Sequence, residues 1–401
     1  MKLLWIGNYE DPETLEGMAA KGYRSSSSQV SQRNLIQGLE AVWGGTLDII
    51  SGSVVPEYPV YMDARVKKQY WSHAEGAKDV SVGFLNYKYV NRISCQRAMV
   101  RAAREWAKNC NETDVVVFAY SMRSPVMAAA VAVKKYIPTA KIYLIITDLP
   151  AYMDLAPSRV KRILKRIDGV QQAKFFRSFD GYILYAEKMA EYLNIKKGMY
   201  TVMEGSISMD ECMAERPQNI ETDKIVVMYS GKVSMNYGIP ELLAAFELLD
   251  RSKYELWITG TGDASALVEK FALANSSVKY YGFLESRDQL MKLQAKSSML
   301  ISTRMPSEEA SKYCFPSKLF EYMLTGKPVL TFRIEGIPEE YYSYLVAMKS
   351  PDKYDIADTI MHIGSMNAKE REQLGMAGKA FVVSKKSNLC QAQRIWSFVN
   401  R

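Results

Sequence analysis

Short apolar runs bounded by glycine, aspartate or serine alternate along this chain with longer segments in which apolar residues recur at helical spacing. That alternation predicts parallel β-sheets wrapped in helices. In the first half, Lys2–Gly7, Thr46–Ser51, Asp114–Ala119, Lys141–Thr147, Gly181–Leu184 and Tyr200–Met203 read as strands, and Ser31–Trp43, Ser94–Asn109, Ser124–Tyr136 and Glu187–Leu193 as helices. The polar segment Glu204–Thr222, with Pro217 and little apolar periodicity, closes that half. The same grammar then restarts. Strands are expected over Lys224–Ser230, Tyr254–Thr259, Val278–Tyr281, Ser298–Ser302 and Pro328–Phe332, with helices over Ile239–Leu249, Ala264–Ala274, Ser286–Ala295 and Lys318–Leu324. Ala368–Asn400 is helical in period. The expected fold class is α/β, with two Rossmann-like domains (1–210 and 211–385) facing across a cleft and a C-terminal helix (386–401) packing back on the first domain.

Composition narrows this picture only a little. With 24% charged and 48% hydrophobic residues in 401 positions, disordered and fibrous classes are excluded. A net charge of +8 suits an acidic partner without choosing among nucleotide, phospholipid surface and nucleic acid. No apolar run reaches the ~18–20 residues needed to cross a bilayer, and Met1–Gly7, followed by Asn8, Glu10 and Asp11, reads as a first strand and not as a signal peptide. Five scattered cysteines without CxxC spacing suggest a reducing cytoplasm. His73 and His362, the only histidines, adjoin no carboxylate or thiol cluster, so no metal site is expected.

In open parallel sheets, ligands bind beyond the carboxyl ends of the strands, which directs attention to the loops there. In the first half these are Asn8 with the loop ending at Ser25–Ser28, the run Tyr120-Ser121-Met122-Arg123, and Asp148 with Leu149 and Pro150. Asp148 suits either a ligand hydroxyl or a turn. In the second half, Ser230-Gly231-Lys232 combines close backbone approach with a cation, and Tyr237-Gly238 precedes the next helix. The glycines of Gly260-Thr261-Gly262 fit a tight turn equally well. Phe315–Val329 (FPSKLFEYMLTGKPV) is the most restrictive stretch. It puts Ser317 and Lys318 at a helix mouth, where unpaired N–H groups suit a phosphate, and Glu321 one turn in, where a carboxylate can accept ribose hydroxyls. Ser317 as N-cap, with Lys318 and Glu321 as a solvated face, gives the same pattern.

Five motifs, in order, carry a resemblance: IITDLPAYM (145–153), DGYILYAEKMAEYL (180–193), VMEGSIS (202–208), YSGKVSMNYGIPELLAAF (229–246) and FPSKLFEYMLTGKPVL (315–330). The sequence resembles GT-B glycosyltransferases of family 4, of the type that assembles capsular or extracellular polysaccharide. The resemblance implies retaining, metal-independent transfer of a sugar from a nucleoside-diphosphate sugar, with no other cofactor, to a glycan or lipid-linked glycan. Catalytic roles fall on Asp148, Lys232 and Lys318, and donor contacts on Gly231, Lys232, Tyr313, Phe315, Ser317, Lys318 and Glu321. Two positions depart from the family pattern. Its second basic residue falls on Tyr237, for which Lys318 can substitute, and the first of its two glutamates falls on Tyr313, with Glu308 and Glu309 nearby. A histidine commonly found beside the donor sugar falls on Asp148.

The basic amphipathic stretch Arg159–Arg177 fits contact with an anionic membrane, with a smaller basic-aromatic group at Arg65, Lys67, Lys68, Tyr70 and Trp71. A solvated helix with an apolar inner face has the same pattern. Its basic residues join no nucleic-acid reading motif, so nucleic acid is not an expected partner. The expected location is cytoplasmic, peripheral on the inner face of the membrane. Two alternatives stand beside the transferase: a nucleotide-sugar epimerase, for which the scarcity of histidine is unfavourable, and a catalytically silent nucleotide-sugar-binding subunit.

Overall fold

The computed structural model describes residues 1–23, 27–149, 159–214, 223–284 and 286–401, with the side chains of 159–165 outside that set. The chain divides into two compact units. One comprises Met1–Tyr185, Met189–Ser206 and Asn388–Arg401, and the other Ala186–Lys188 and Ile207–Ser387.

The first unit is built on β1 (Lys2–Gly7), β2 (Asp48–Ser51), β3 (Arg65–Val66), β4 (Gln69–Trp71), β5 (Asp79–Ser81), β6 (Phe84–Leu85), β7 (Val115–Tyr120), β8 (Lys141–Ile146), β9 (Gly181–Leu184) and β10 (Tyr200–Val202). Eight of them form one sheet in the order β10-β9-β8-β7-β1-β2-β5-β4. It is parallel except at β4–β5, and β3 pairs antiparallel with β6. β7 is buried at every position, as expected of a central strand covered on both faces.

The short strands β3 to β6 carry no apolar run long enough to signal them in advance. Where a loop was expected after β1, Asp11 accepts the Thr14 N–H and Pro12 opens a helix, Pro12–Ala19. Ser27 and Ser28 of the expected serine loop begin the helix Ser27–Trp43, while Ser25 and Ser26 lie outside the described residues. The helical pattern after Ala368 resolves into two helices, Ala368–Lys386 and Asn388–Val399, and the division between units falls at their junction. The second of them packs on Ser27–Trp43. Gly38 makes that contact possible, because a Cβ there would lie 2.5 Å from the Asn388 carbonyl oxygen.

The second unit carries β11 (Ile225–Ser230), β12 (Tyr254–Thr259), β13 (Val278–Tyr280), β14 (Met299–Ser302), β15 (Val329–Phe332) and β16 (Val346–Met348) in the order β13-β12-β11-β14-β15-β16, all parallel. β16 and the helix Lys353–Ser365 were not read from the sequence; the former has only three residues. The core packs Leu256, Ile258, Leu300 and Leu330 from the sheet against Leu242, Phe246, Leu319, Met323 and Ile360 from the helices.

None of the five cysteines is joined in a disulfide. Among the described residues, no helix is long and apolar enough to cross a membrane, and no cluster of three His, Cys, Asp or Glu could hold a metal ion.

Candidate functional site

In the second unit, one buried tyrosine ties the helix Lys318–Leu324 to the carboxyl end of β11. Tyr322, in the helix Lys318–Leu324, accepts the Ser230 main-chain N–H at 2.9 Å and donates to the Ser230 carbonyl at 2.8 Å. Burial raises the Tyr322 pKa, so its hydroxyl keeps its proton and serves both bonds. The residues joined are 92 positions apart. As a result the Lys318 stem lies on Gly231, where a Cβ would sit 3.1 Å from Lys318 Cε. The Gly231 carbonyl in turn packs on Gly260. With a φ of +120° and space of only 1.7 Å between a would-be Cβ and that carbonyl oxygen, position 260 admits glycine alone. The glycines at 260 and 262, which a simple turn would have explained, are therefore the surface on which the Gly231 loop rests.

Lys232 is exposed at this loop. Its carbonyl accepts the Tyr229 hydroxyl at 2.7 Å, and its ammonium lies 5.7 Å from the Tyr237 ring centroid. The Tyr237 carbonyl accepts the Thr303 hydroxyl, and the left-handed Gly238 lets the Thr303 carbonyl approach to within 2.4 Å of where a Cβ would stand. The next residue, Arg304, has its guanidinium 5.4 Å from the same ring, with Nε donating to Ser311 Oγ at 3.1 Å. Two cations thus lie against one tyrosine. Among the described residues, no carboxylate forms an ion pair with Lys232, Arg304 or Lys318. Asp263, whose carboxylate accepts the Met235 N–H, feels Lys232 only as a minor contribution to its lowered pKa, behind its bonds to Ser234 and Met235. Sequence reading passed over Arg304, although it stands just beyond a strand end, where the loop rule should have found it.

Glu321 is half-buried, and its Oε1 accepts from Gln294 Nε2 at 2.6 Å. Gln294, on the helix Arg287–Lys296, was also missed; it is buried, and its own Oε1 has no partner among the described residues. Ser317 does not cap the helix. It has helical φ/ψ and its hydroxyl makes no capping bond, so this exposed side chain is not engaged in the structural role that competed with ligand binding. Phe315 differs from its neighbours. Its ring is buried between Phe320 and Tyr341 at centroid distances of 4.9 and 5.0 Å, which leaves its main chain as the only part able to meet a ligand. The Tyr313 hydroxyl donates to Glu309 at 3.4 Å, and Glu309 also pairs with Lys312 at 3.0 Å.

Asp148 belongs to the first unit, where it is exposed just beyond β8. Near it are the buried Tyr120 and the half-buried Tyr185, whose pKa values are raised by burial, with Ser31 Oγ 2.7 Å from the Tyr185 hydroxyl. The rest of its loop, Pro150–Ser158, lies outside the described residues.

The first unit holds a second constellation that sequence reading did not single out. The carboxylate of Glu10, 1% exposed, accepts hydroxyls from Ser51 at 2.8 Å, Ser53 at 2.7 Å and Ser81. Burial pushes its pKa up against the three hydrogen bonds, which act to lower it. Ser53 and Ser81 line a cavity of about 580 Å³ together with Asp11, Lys21, Tyr61 and Trp71. Trp71, expected on a basic-aromatic surface patch, is half-buried in this wall and donates to Ser81 Oγ at 3.0 Å. Of the basic stretch Arg159–Arg177, the side chains through Lys165 are outside the described residues. Farther along, Ile167 and Val170 are exposed at 63% and 74%.

Residues 224–366 match the family model described as Glycosyl transferases group 1. A comparison against curated proteins gives no match. Among solved structures, the chain is similar to sucrose-phosphate synthase from Thermosynechococcus elongatus (14% identity, TM-score 0.65, 100% of this chain and 98% of that one). It is also similar to Anabaena Alr3699/HepE in complex with UDP (11%, 0.63, 100% of each). A third is the UDP-forming α,α-trehalose-phosphate synthase from Burkholderia xenovorans in complex with glucose-6-phosphate (11%, 0.65, 100% of each). The fold is GT-B, with two Rossmann-like domains.

Proposed function

We propose that this protein is a retaining, metal-independent hexosyltransferase that moves a sugar from a nucleoside-diphosphate sugar to a glycan or lipid-linked glycan. The observation carrying this reading is the seat at Gly231, where the Lys318 stem lies on the backbone next to Lys232, neither lysine has an acidic partner among the described residues, and Glu321, one helical turn beyond Lys318, has one oxygen left to accept. That arrangement suits a diphosphate on the cations and a ribose on Glu321. Uridine is the proposed base, since UDP is bound by the Anabaena protein and formed by the Burkholderia one.

In the reaction, the bond between the anomeric carbon and the diphosphate oxygen breaks and its electron pair leaves with the diphosphate. The acceptor hydroxyl oxygen forms the new bond on the same face, and its proton passes to the departing phosphate oxygen. Lys232 and Lys318 hold the charge that develops. Asp148 accepts a hydrogen bond from a sugar hydroxyl. The protein works in the cytoplasm, and the exposed Ile167 and Val170 among basic residues support peripheral contact with an anionic membrane.

A catalytically silent donor-binding subunit is the second reading, favoured by tyrosine at 237 and 313. Incubation with UDP-sugars and a membrane glycan extract separates the two. Release of UDP with an α-linked product from an α-linked donor is expected. Thermal stabilisation by UDP without turnover supports the silent subunit, and neither stabilisation nor turnover with UDP, GDP or ADP sugars overturns both readings.

A further inference from the structure

We infer that Arg304 is a diphosphate ligand of this site, supplying beside Lys232 the positive charge that Tyr237 cannot. The inference rests on the donor-binding reading above and adds to it a residue and a role for the neutral tyrosine.

The strand order is the first reason. β11 and β14 are adjacent, with Met228 opposite Leu300, so the loops that follow them emerge side by side. Lys232 leaves the first loop and Arg304 the second, and both charges rest on the Tyr237 ring, at 5.7 and 5.4 Å from its centroid. An aromatic face attracts each cation but does not neutralise either. Neither cation has an ion-pair partner among the described residues, so both are open to an anion. A bound phosphate would supply the opposite charge that both lack.

Anchoring is the second reason. Ser311 Oγ accepts from Arg304 Nε, which leaves the two terminal nitrogens of the guanidinium to donate as a planar fork. That fork matches two oxygens of a phosphate, whereas Lys232 acts as a point charge. Tyr237 is held in place through its carbonyl by Thr303, the residue before Arg304. The ring is thus a platform that positions both cations.

The test compares UDP with uridine, which differs from it only in lacking the diphosphate. Calorimetric titration of the full chain should show Arg304→Gln binding UDP at least tenfold more weakly, with uridine binding, followed by ligand-observed NMR, unchanged. The slope of log Kd against log salt for UDP should become shallower. Arg304→Lys should recover part of the affinity, because it keeps the charge and loses the fork. Equal UDP affinity in Arg304→Gln and the unaltered protein overturns the inference, as does an equal loss for UDP and uridine, which would mark a structural role. Should Arg304→Gln fail to fold, Arg304→Lys decides by the same comparison, with a several-fold loss confined to UDP expected. If the unaltered protein binds no nucleoside diphosphate, the donor-binding reading itself falls and this inference with it. Binding by the unaltered protein with an indifferent Arg304 overturns the inference alone.

Discussion

At the scale of single residues, the candidate site shows how little a side chain's identity says about its availability. Glu321 and Glu309 are both glutamates near the same loop, yet Glu309 is held by Lys312 and Tyr313 whereas Glu321 has only one oxygen engaged, by a neutral amide. A neutral partner orients the carboxylate without cancelling its charge. Glu321→Ala is therefore expected to weaken UDP binding about tenfold, on the order of the 1–1.5 kcal/mol of a hydrogen bond, and to leave inorganic diphosphate binding unchanged, as titration would show. Gln294→Ala should cause a smaller loss of the same kind. Glu321, Lys232 and Lys318 were legible in the sequence because motif and strand-end position mark them. Gln294 was not, since it acts through a partner 27 residues away; Arg304 stood at a strand end as well, but no motif marked it. Phe315 sits in the motif for the sake of the core, a role that its apolar ring could have suggested.

At the scale of elements, strands and helices carry the site only where single contacts fix their register. Tyr322→Phe removes the hydroxyl that serves both polar groups of Ser230, so chemical denaturation should show a loss of about 1–3 kcal/mol, with UDP binding weakened as well. A phenylalanine variant of unchanged stability would remove Tyr322 from this role. A second fastening lies in the first unit, where His73 joins the helix Ser27–Trp43 to β5. Its Nε2 lies 2.9 Å from Glu40 and its Nδ1 2.7 Å from Asp79. Burial acts to lower its pKa, but the hydrogen bonds to the two carboxylates outweigh burial and push it up to about 9 from an ordinary 6.5. The folded protein thus keeps a proton that the unfolded chain releases. The stabilisation is complete below about pH 6.5 and is lost as pH rises through 9, with a ceiling on the order of 3 kcal/mol for such a shift. His73→Gln should be less stable than the parent at pH 6 and should converge with it by pH 10. A difference independent of pH in urea unfolding would count against the clamp. The sequence pointed to neither fastening, and of His73 it showed only that no carboxylate or thiol cluster adjoins it along the chain.

At the scale of the whole molecule, nucleotide binding should be felt unevenly. A ligand that binds only the native state stabilises it, and hydrogen exchange resolves where. UDP is expected to slow exchange in the second unit, at Gly231–Gly238 and around Ser317–Glu321. Protection confined to the Glu10 cavity of the first unit would move the nucleotide seat there. The sequence alone determined the alternation of strand and helix in both halves, the GT-B resemblance, and the placing of Gly231, Lys232 and Asp148 at or beyond strand ends and of Lys318 at a helix mouth. These are local properties, written in short apolar runs, in a period of 3.6 and in the residues that bound each element. Tertiary structure decided which of those ends meet. Lys318 reaches Gly231, Arg304 shares a ring with Lys232, and three serines converge on Glu10 across separations of 41, 43 and 71 residues. Such meetings depend on the order of strands within a sheet. No local pattern encodes that order, because it follows from how all the apolar faces are buried at once.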